Sequence, residues 1–569
     1  MLPDRKDIIT SNIETKIMKK SALQRVRSEY QPKLPKDLQG AVKVKFGKPT
    51  ESVADQAAIK DLFPHTYGMP IVEFEQDENP IRVEEPFNVG IILSGGQAPG
   101  GHNVVSGIFD GLKSLNKENR LYGFLMGPAG FINHQYMELT AGIIKEYRNT
   151  GGFDIIGSGR TKLEKPEQFD AGLKILKELN IKALVIIGGD DSNTNAAVLA
   201  EYYKNIGAGV QVIGVPKTID GDLKNEWIET SFGFDTACKV YSEVIGNIQR
   251  DCNSAKKYYH FIKLMGRSAS HIALECALET QPNICIISEE VQAKRMTLDN
   301  IVSYICYVIS ERAKLGWNFG TVLIPEGLIE FIPSVKALIS ELNDVIEANN
   351  EELANLEEMD KLEKIHSLLS PANADLYKSL PKNIALQLSL DRDSHGNVQV
   401  SLIETESLLS EMVAKRLDEM ALEGQYDGKF NAQHHFFGYE GRCADPTNFD
   451  ADYTYALGYN AAMLINSGLT GYMSSVRNLT EPSEKWIAGG IPITMMMNME
   501  RRKGEMKPVI QKALVDLHGR PYLKFASMRE TLALNTLYQY PGPIQYFGPS
   551  EVCDRPSMTL LLEHGKEIN

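Results

Sequence analysis

The chain has 569 residues, of which 43% are hydrophobic and 24% are charged, and its formal net charge is −14. This length predicts about two to four domains, and the composition is typical of a soluble globular protein. The acidic balance disfavours nucleic acid and anionic membranes as partners. Because the seven cysteines form no Cys-x-x-Cys pair and neither a secretory signal nor a long apolar run occurs, we expect a cytoplasmic protein with reduced thiols and no membrane span.

Changes in composition and in hydrophobic pattern along the chain predict the domain organisation. Residues 1–86 are polar and rich in proline, with a helix expected within 13–29. From Asn88 onward, short β-branched runs alternate with segments of helical period, which predicts βαβ units and two mainly parallel sheets. Nine acidic residues and two lysines between Glu341 and His366 indicate a solvated helical insertion.

We therefore expect an α/β fold of two Rossmann-like domains with a helical insertion and two terminal extensions. The predicted units are an N-terminal extension (1–86), a first α/β domain (87–235, completed by 441–503), a second α/β domain (236–330, completed by 431–440), the insertion (331–430) and a C-terminal extension (504–569).

The most informative motif is PKTIDGD at 216–222, directly after the apolar run 211–215. Such a loop lies at the carboxyl end of a buried strand, where open α/β sheets bind ligands. Lys217 can neutralise phosphate charge and a carboxylate such as Asp220 can take a proton from a sugar hydroxyl. Phosphoryl transfer to an alcohol needs both groups in one place. The alternative is a polar turn with an Asp bonded to its own backbone, and the motif alone would favour it.

Two glycine-rich turns, in NVGIILSGGQAPGG (88–101) and IIGGDDSNTN (186–195), each join an apolar run to a predicted helix. Glycine there lets backbone N–H groups approach a phosphate near the positive end of a helix. Asp190 and Asp191 would repel a phosphate unless a cation intervenes, which implies Mg²⁺. A plain turn explains the first motif about equally well, and helix capping by a polar side chain remains an alternative for the second.

Further loops carry cations and possible sugar ligands. Arg160 and Lys162 follow another short strand and suit phosphate, although surface cations would look the same. Arg267 is a phosphate candidate shortly after the run YYHFIKL (258–264). Glu326 can accept hydrogen bonds from sugar hydroxyls or cap the following helix.

The loop GYEGR (438–442) combines an aromatic ring, an acid and a guanidinium. We interpret His271 and the adjacent pair His434 and His435 as structural, because neighbouring side chains in a strand face apart and make a poor metal site.

In this order, SGGQAPGGHN, GGDDS, PKTIDGD, MGRSASH, PEG and GYEGR resemble the motifs of the phosphofructokinase family, from about Asn88 to Gly490. Asp191 and Lys217 stand where ATP-using members carry Gly, and they resemble the pyrophosphate-dependent members, specifically the long form found in plants and some bacteria. The resemblance implies reversible phosphoryl transfer from pyrophosphate to fructose 6-phosphate in glycolysis or gluconeogenesis. The alternatives are an ATP-dependent kinase and a non-catalytic regulatory subunit.

The resemblance also implies roles for individual residues. Asp220 is the expected base, Thr218 and Asp222 orient the substrate and phosphoryl group, and Lys217 stabilises the transition state. Asp190 holds Mg²⁺, and Asp191 excludes the α-phosphate of ATP. Pyrophosphate is expected to contact the backbone of Gly96 and the side chain of Arg160. The expected sugar phosphate site comprises Thr218, Ile219, Asp220, Met265, Gly266, Arg267, Glu326, Tyr439, Glu440, Gly441 and Arg442.

Lys257 and Tyr258 are expected to reach the site of a partner subunit, which implies a homodimer with shared active sites. The sequence departs from ATP-using relatives at Gln97, where they carry Asp, and at Tyr439, where they carry His.

Overall fold

A computed structural model describes residues 20–78, 85–353, 355–389, 402–502, 505–544 and 554–567. The strands of these residues are β1 (Val42–Pro49), β2 (Pro70–Gln76), β3 (Asn88–Leu93), β4 (Arg120–Phe124), β5 (Tyr136–Glu138), β6 (Ile181–Gly188), β7 (Gln211–Pro216), β8 (Tyr259–Leu264), β9 (Ile284–Cys285), β10 (Gly320–Pro325), β11 (Ala432–Phe437), β12 (Tyr472–Arg477), β13 (Ile487–Pro492), β14 (Met497–Arg502) and β15 (Glu505–Ile510).

The helices are α1 (Ala22–Ser28), α2 (Gln56–Leu62), α3 (Gly101–Leu115), α4 (Pro128–Ile132), α5 (Ala141–Tyr147), α6 (Pro166–Glu178), α7 (Asp190–Asn205), α8 (Phe234–Ala255), α9 (His271–Thr280), α10 (Ser288–Ala293), α11 (Leu298–Lys314), α12 (Leu328–Phe331), α13 (Pro333–Ala348), α14 (Asn350–Leu353), α15 (Glu358–Leu368), α16 (Pro371–Ser379), α17 (Lys382–Leu388), α18 (Thr405–Leu422), α19 (Tyr439–Arg442), α20 (Asn448–Asn466), α21 (Arg520–Leu534) and α22 (Met558–Glu563). Short 3₁₀ turns occur at Lys36–Leu38, Ser483–Lys485 and Ile493–Met496.

The larger sheet has nine strands in the order β1-β2-β13-β12-β7-β6-β3-β4-β5. Its central strands β12, β7, β6, β3 and β4 run parallel, and antiparallel strands flank them on both sides. The chain passes from β3 to β4 in one direction and then returns to β6 on the other side of β3. The carboxyl ends of β3 and β6 therefore form a topological switch point, the usual ligand-binding place in such sheets.

The smaller sheet has four parallel strands in the order β11-β8-β10-β9. Every residue of β8 and of β10 is buried, as expected for a parallel sheet covered by helices on both faces. Strands β14 and β15 form a separate antiparallel hairpin. The predicted α/β fold with parallel-strand sheets is confirmed.

The N-terminal segment is part of the larger sheet, because its strands β1 and β2 extend one edge of that sheet. Val72 and Phe74 of β2 are each 1% exposed, whereas their neighbours Ile71, Glu73 and Glu75 are half-buried, which is the two-residue period of a strand. The strand pattern was not recognised in the sequence because prolines stand at the ends of these two strands. An edge strand tolerates proline at such positions. Of the helix expected within 13–29, the part from Ala22 to Ser28 is present as α1, and residues 1–19 lie outside the described part of the chain.

The described residues of the segment 331–430 are mainly helical, with α13 to α18. Its helices bury their own apolar face, including Leu338, Ile365 and Leu409, each 0% exposed. The Lys263 ammonium on β8 donates to the Ile403 carbonyl at 2.8 Å and lies 3.4 Å from the Glu406 carboxylate, so the insertion is anchored to the smaller sheet. No helix among the described residues has both the length and the apolarity required to cross a bilayer.

Candidate active site

The loops after β3 and β6 lie side by side at the switch point. The Ser94 N–H donates to the Ile187 carbonyl at 2.9 Å, and the Ser192 hydroxyl donates to the Ser94 hydroxyl at 2.8 Å. Asp190 and Asp191 form the first turn of α7, whose N-cap residue Gly189 makes no side-chain capping bond. The two carboxylates therefore stand at the positive end of a helix and do not serve as its N-cap.

The PKTIDGD loop extends β7 into the same region. The Lys217 N–H donates to the Gly188 carbonyl at 2.9 Å, and the Asp220 N–H donates to the Thr218 hydroxyl at 3.0 Å. Gly221 has a φ of +74°, a left-handed conformation that suits glycine. The backbone turn is thus held by Thr218 and Gly221, while the Asp220 carboxylate lines the cleft.

Burial shapes the electrostatics of this loop. The Lys217 side chain is 5% exposed, and burial, followed by the nearby Arg442 charge, lowers its pKa to about 7 against the attraction of Asp220. Asp222 is 6% exposed. Burial, followed by the Asp220 charge, raises its pKa to about 7, and the Lys512 ammonium opposes this shift. The loop therefore holds an acid and a base that both change protonation near neutral pH.

Arg442, from the loop after β11, bridges the two sheets. Its Nε–H donates to the Gln97 carbonyl at 3.0 Å. A Cβ atom at Gly96 would lie 2.6 Å from its guanidinium Nη2, so only glycine leaves room for the arginine. The Gln97 side chain turns away from this contact and accepts the Phe153 N–H at 3.1 Å.

The loops of the smaller sheet are joined through Glu326, which is 2% exposed. Its Oε2 accepts the Gly266 N–H at 3.0 Å, and its Oε1 has no hydrogen-bond partner within the described residues. The helix that follows begins at Leu328, and its N-cap residue is Gly327, with no side-chain capping bond, so the capping alternative for Glu326 does not hold. A buried acceptor with an unused oxygen suits a sugar hydroxyl.

These loops line a cleft between the carboxyl ends of the two sheets. Of the predicted site residues, it is lined by Gly96, Arg160, Asp190, Asp191, Lys217, Thr218, Asp220, Asp222, Arg267 and Arg442. The other predicted residues do not line it: Ile219, Met265, Gly266, Glu326, Tyr439, Glu440 and Gly441 lie in the adjoining loops, and Lys257 and Tyr258 lie elsewhere.

Lys257 and Tyr258 precede β8, whereas the cleft adjoins the other end of that strand. Six strand residues span about 20 Å, so these two side chains stand far from the cleft of their own chain. Lys257 is exposed, and so is Tyr439, at 67%.

Lys512 lines the cleft although no sequence motif indicates it. Its ammonium donates to the Ser268 hydroxyl at 2.7 Å and lies 3.5 Å from Asp190 and 3.7 Å from Asp222. Lys512 lies two residues after the end of β15, in the predicted C-terminal extension. The expected boundary at 503/504 separates β15 from β14, its antiparallel partner.

The histidines have protein partners, in agreement with a structural role. His271 Nε2 lies 2.9 Å from the Ala513 carbonyl, His434 lies 2.6 Å from the Ser410 hydroxyl, and His435 lies 2.9 Å from His260. Across the described ranges, no group of three His, Cys, Asp or Glu side chains converges to hold a metal ion unaided.

Comparisons with known proteins agree with this architecture. The phosphofructokinase family model matches residues 88–465. A protein of Porphyromonas gingivalis named pyrophosphate–fructose 6-phosphate 1-phosphotransferase is 63% identical over 550 residues, which are 96% of this chain and 99% of that protein. Two Arabidopsis thaliana proteins named subunit beta 1 and subunit alpha 2 of that enzyme are 52% and 41% identical, over 94% and 95% of this chain and 93% and 89% of theirs.

Among solved structures, pyrophosphate-dependent phosphofructokinases from Marinobacter aquaeolei and Nitrosospira multiformis superpose with TM-scores of 0.51 and 0.52. They are 14% and 15% identical, over 79% and 83% of this chain and 93% and 97% of theirs, and so speak for the fold alone. Because the family model spans most of its length and full-length relatives share more than half of its residues, the chain belongs to the phosphofructokinase family.

Proposed function

We propose that the chain is a pyrophosphate–fructose 6-phosphate 1-phosphotransferase. It transfers a phosphoryl group from pyrophosphate to the 1-hydroxyl of fructose 6-phosphate and releases phosphate. The observation that carries this proposal is the meeting of Lys217, Asp190 and Asp220 in one cleft, in a family whose 63%-identical member bears this name.

In the proposed reaction, Asp220 accepts the proton of the 1-hydroxyl while the sugar oxygen forms a bond to the nearer phosphorus. The bond from that phosphorus to the bridging oxygen of pyrophosphate breaks, and phosphate leaves. Lys217 offers an ammonium where negative charge develops. Thr218 and Asp222 hold the loop and the phosphoryl group in line.

The family generally uses a divalent metal, and we propose Mg²⁺ for this chain. Mg²⁺ is usually bound by one or two carboxylates together with substrate phosphates. The carboxylate of Asp190 at the cleft, without a closed cage of protein ligands, fits a metal that arrives with pyrophosphate. When bound, the metal would neutralise phosphate charge.

Pyrophosphate is proposed to meet the backbone of Gly96 and the side chain of Arg160, beside the positive end of α7. Fructose 6-phosphate is proposed to occupy the loops of the smaller sheet, with Arg267 and Arg442 facing its phosphate. The unused oxygen of Glu326 suits a sugar hydroxyl. Asp191 is proposed to stand where the α-phosphate of ATP would approach, which favours pyrophosphate.

We further propose a cytoplasmic homodimer in which Lys257 and Tyr258 complete the partner's sugar phosphate site. The support is their distance from the cleft of their own chain and the exposure of Lys257. The two predicted α/β domains would then bind pyrophosphate with metal and sugar phosphate, respectively.

A coupled assay tests the proposal. The purified protein is given fructose 6-phosphate and Mg²⁺ with either pyrophosphate or ATP, and formation of fructose 1,6-bisphosphate is followed. The proposal expects turnover with pyrophosphate and a much lower efficiency with ATP. Preference for ATP would indicate the ordinary kinase, and absence of turnover with both donors would indicate a regulatory subunit.

A further inference from the structure

Lys512 is brought to the cleft by a segment outside the part of the chain that the family model matches, which ends at residue 465. We call residues 510–515 the strap. Its first residue, Ile510, donates its N–H to the Thr194 hydroxyl on α7 at 3.3 Å. The Ala513 N–H donates to the Asp222 carbonyl at 2.7 Å. The strap is thus held on either side of Lys512, by α7 before it and by the PKTIDGD loop after it.

The other end of the strap is fixed to two helices, α9 and α10, which follow β8 and β9 of the smaller sheet. The Ala513 carbonyl lies 2.9 Å from His271 Nε2 on α9, and the Val515 N–H donates to Glu289 Oε1 at 3.0 Å. Because backbone bonds on both sides hold its neighbours, Lys512 is positioned across the cleft before any ligand arrives, which reduces the ordering cost of binding.

The ammonium of Lys512 has hydrogen-bonding capacity left. A lysine has three N–H donors, and Ser268 accepts one of them at 2.7 Å. The Asp190 and Asp222 carboxylates, at 3.5 and 3.7 Å, lie beyond ordinary hydrogen-bond distance although within ion-pair range. Within the described residues, two donors therefore remain for oxygen atoms that enter the cleft.

The side chains around Lys512 indicate which oxygen atoms its two remaining N–H donors bind. Lys512 lies between Asp190, the proposed metal ligand, and Asp222, beside the base Asp220. In the proposed reaction the phosphoryl group moves from pyrophosphate, near Asp190 and its metal, to the sugar hydroxyl beside Asp220, so its path would run along this ammonium. A compact ammonium suits the oxygens of such a group as a point charge.

We propose that Lys512 is a second catalytic lysine, whose ammonium hydrogen-bonds the transferring phosphoryl group opposite Lys217. In the free enzyme it screens the repulsion between Asp190 and Asp222. With pyrophosphate and the metal bound, Asp190 would hold the metal, and the ammonium would turn from the two carboxylates to the phosphoryl oxygens. This inference rests on the proposed function.

The test compares Lys512→Ala and Lys512→Arg with Lys507→Ala, a control on the same hairpin whose side chain is 39% exposed. The alanine variant should lower kcat with pyrophosphate about 100-fold, with the KM for fructose 6-phosphate changed less than about threefold because sugar binding does not use this ammonium. The arginine variant, which keeps the charge, should have a kcat about tenfold higher than that of the alanine variant. The control should match the wild type.

Two readouts separate a catalytic contact from a structural one. Ethylammonium should restore activity to Lys512→Ala in a saturable manner, and tetramethylammonium, which has the charge but no N–H donor, should not. Calorimetric titration with pyrophosphate and Mg²⁺, without sugar, should show weaker binding to Lys512→Ala than to the wild type. Circular dichroism checks that each variant is folded, and Lys512→Met replaces the alanine variant if that one is not.

The proposal is overturned if Lys512→Ala keeps more than about a third of the wild-type kcat, if ethylammonium has no effect and pyrophosphate affinity is unchanged, or if both uncharged variants fail to fold. Wild-type protein that is inactive with pyrophosphate refutes the proposed function instead, so the two failures are distinct.

Discussion

Lys217 should make the free enzyme less stable than it would be without this charge, because the ammonium is buried. Its pKa is lowered from 10.5 to about 7, and each pKa unit corresponds to about 1.4 kcal/mol. Below pH 7 the folded and unfolded chains both carry the proton, so the fold bears the whole cost, about 5 kcal/mol. Between pH 7 and 10.5 the folded state has released a proton that the unfolded state still binds, so stability rises with pH. At pH 9 the remaining cost is about 2 kcal/mol.

Replacing the lysine by methionine removes this cost and keeps most of the side-chain volume. For a chain of 569 residues the unfolding entropy is about 1.2 kcal/mol/K. Lys217→Met should therefore raise the melting temperature by about 4 °C at pH 6 and by about 2 °C at pH 9, while abolishing turnover. Scanning calorimetry without ligands measures this, with Lys174→Met, at an exposed position of α6, as the control. A melting temperature that is unchanged or lower at pH 6, or a gain equal at both pH values, would refute the reasoning.

Three further predictions concern the reaction. Asp220→Ala should lower kcat by about 10²–10⁴, the usual contribution of a general base, with fructose 6-phosphate affinity little changed; a variant keeping more than about a tenth of kcat would remove Asp220 from that role. Asp191→Gly should raise the ATP-to-pyrophosphate efficiency ratio; because Asp191 is exposed, its repulsion of a phosphate about 4 Å away lies between about 1 and 4 kcal/mol, and the ratio should rise at least about fivefold. An unchanged ratio would mean that donor choice lies elsewhere. Chains carrying Arg442→Ala and Lys257→Ala should each be inactive and should regain up to about a quarter of wild-type activity after subunit exchange, since half of the random dimers would contain one intact site of two. No recovery after verified exchange would contradict a shared site.

The sequence was sufficient to predict features that depend on neighbouring residues. The apolar run 211–215 and the polar loop after it are contiguous, so a strand ending in a ligand loop was predictable at PKTIDGD. The same holds for the glycine turns after β3 and β6, because glycine and strand periodicity are local signals. These loops meet in one cleft because the carboxyl ends of parallel strands lie at the same edge of a sheet, where such sheets bind ligands.

Features that depend on distant contacts were not predictable in this way. Lys512 follows an ordinary strand and gains its place only through bonds to Thr194, Asp222 and His271, which lie far away in the sequence. The pairing of β2 with β13 joins residues more than 400 positions apart, so the edge of the larger sheet could not be derived from local pattern. Whether Glu326 and Asp191 cap helices could likewise be decided only from the observed helix ends, where the N-cap residues are Gly327 and Gly189.

The most direct measurement of the central claim is ³¹P nuclear magnetic resonance of one reaction mixture. Wild-type protein is incubated with fructose 6-phosphate, pyrophosphate and Mg²⁺, without nucleotides, and the phosphorus signals are followed over time. The account predicts that the pyrophosphate signal declines while a 1-phosphate ester signal of fructose 1,6-bisphosphate and an inorganic phosphate signal grow in equal amounts. A stable pyrophosphate signal, or phosphate released without the sugar ester, would contradict it.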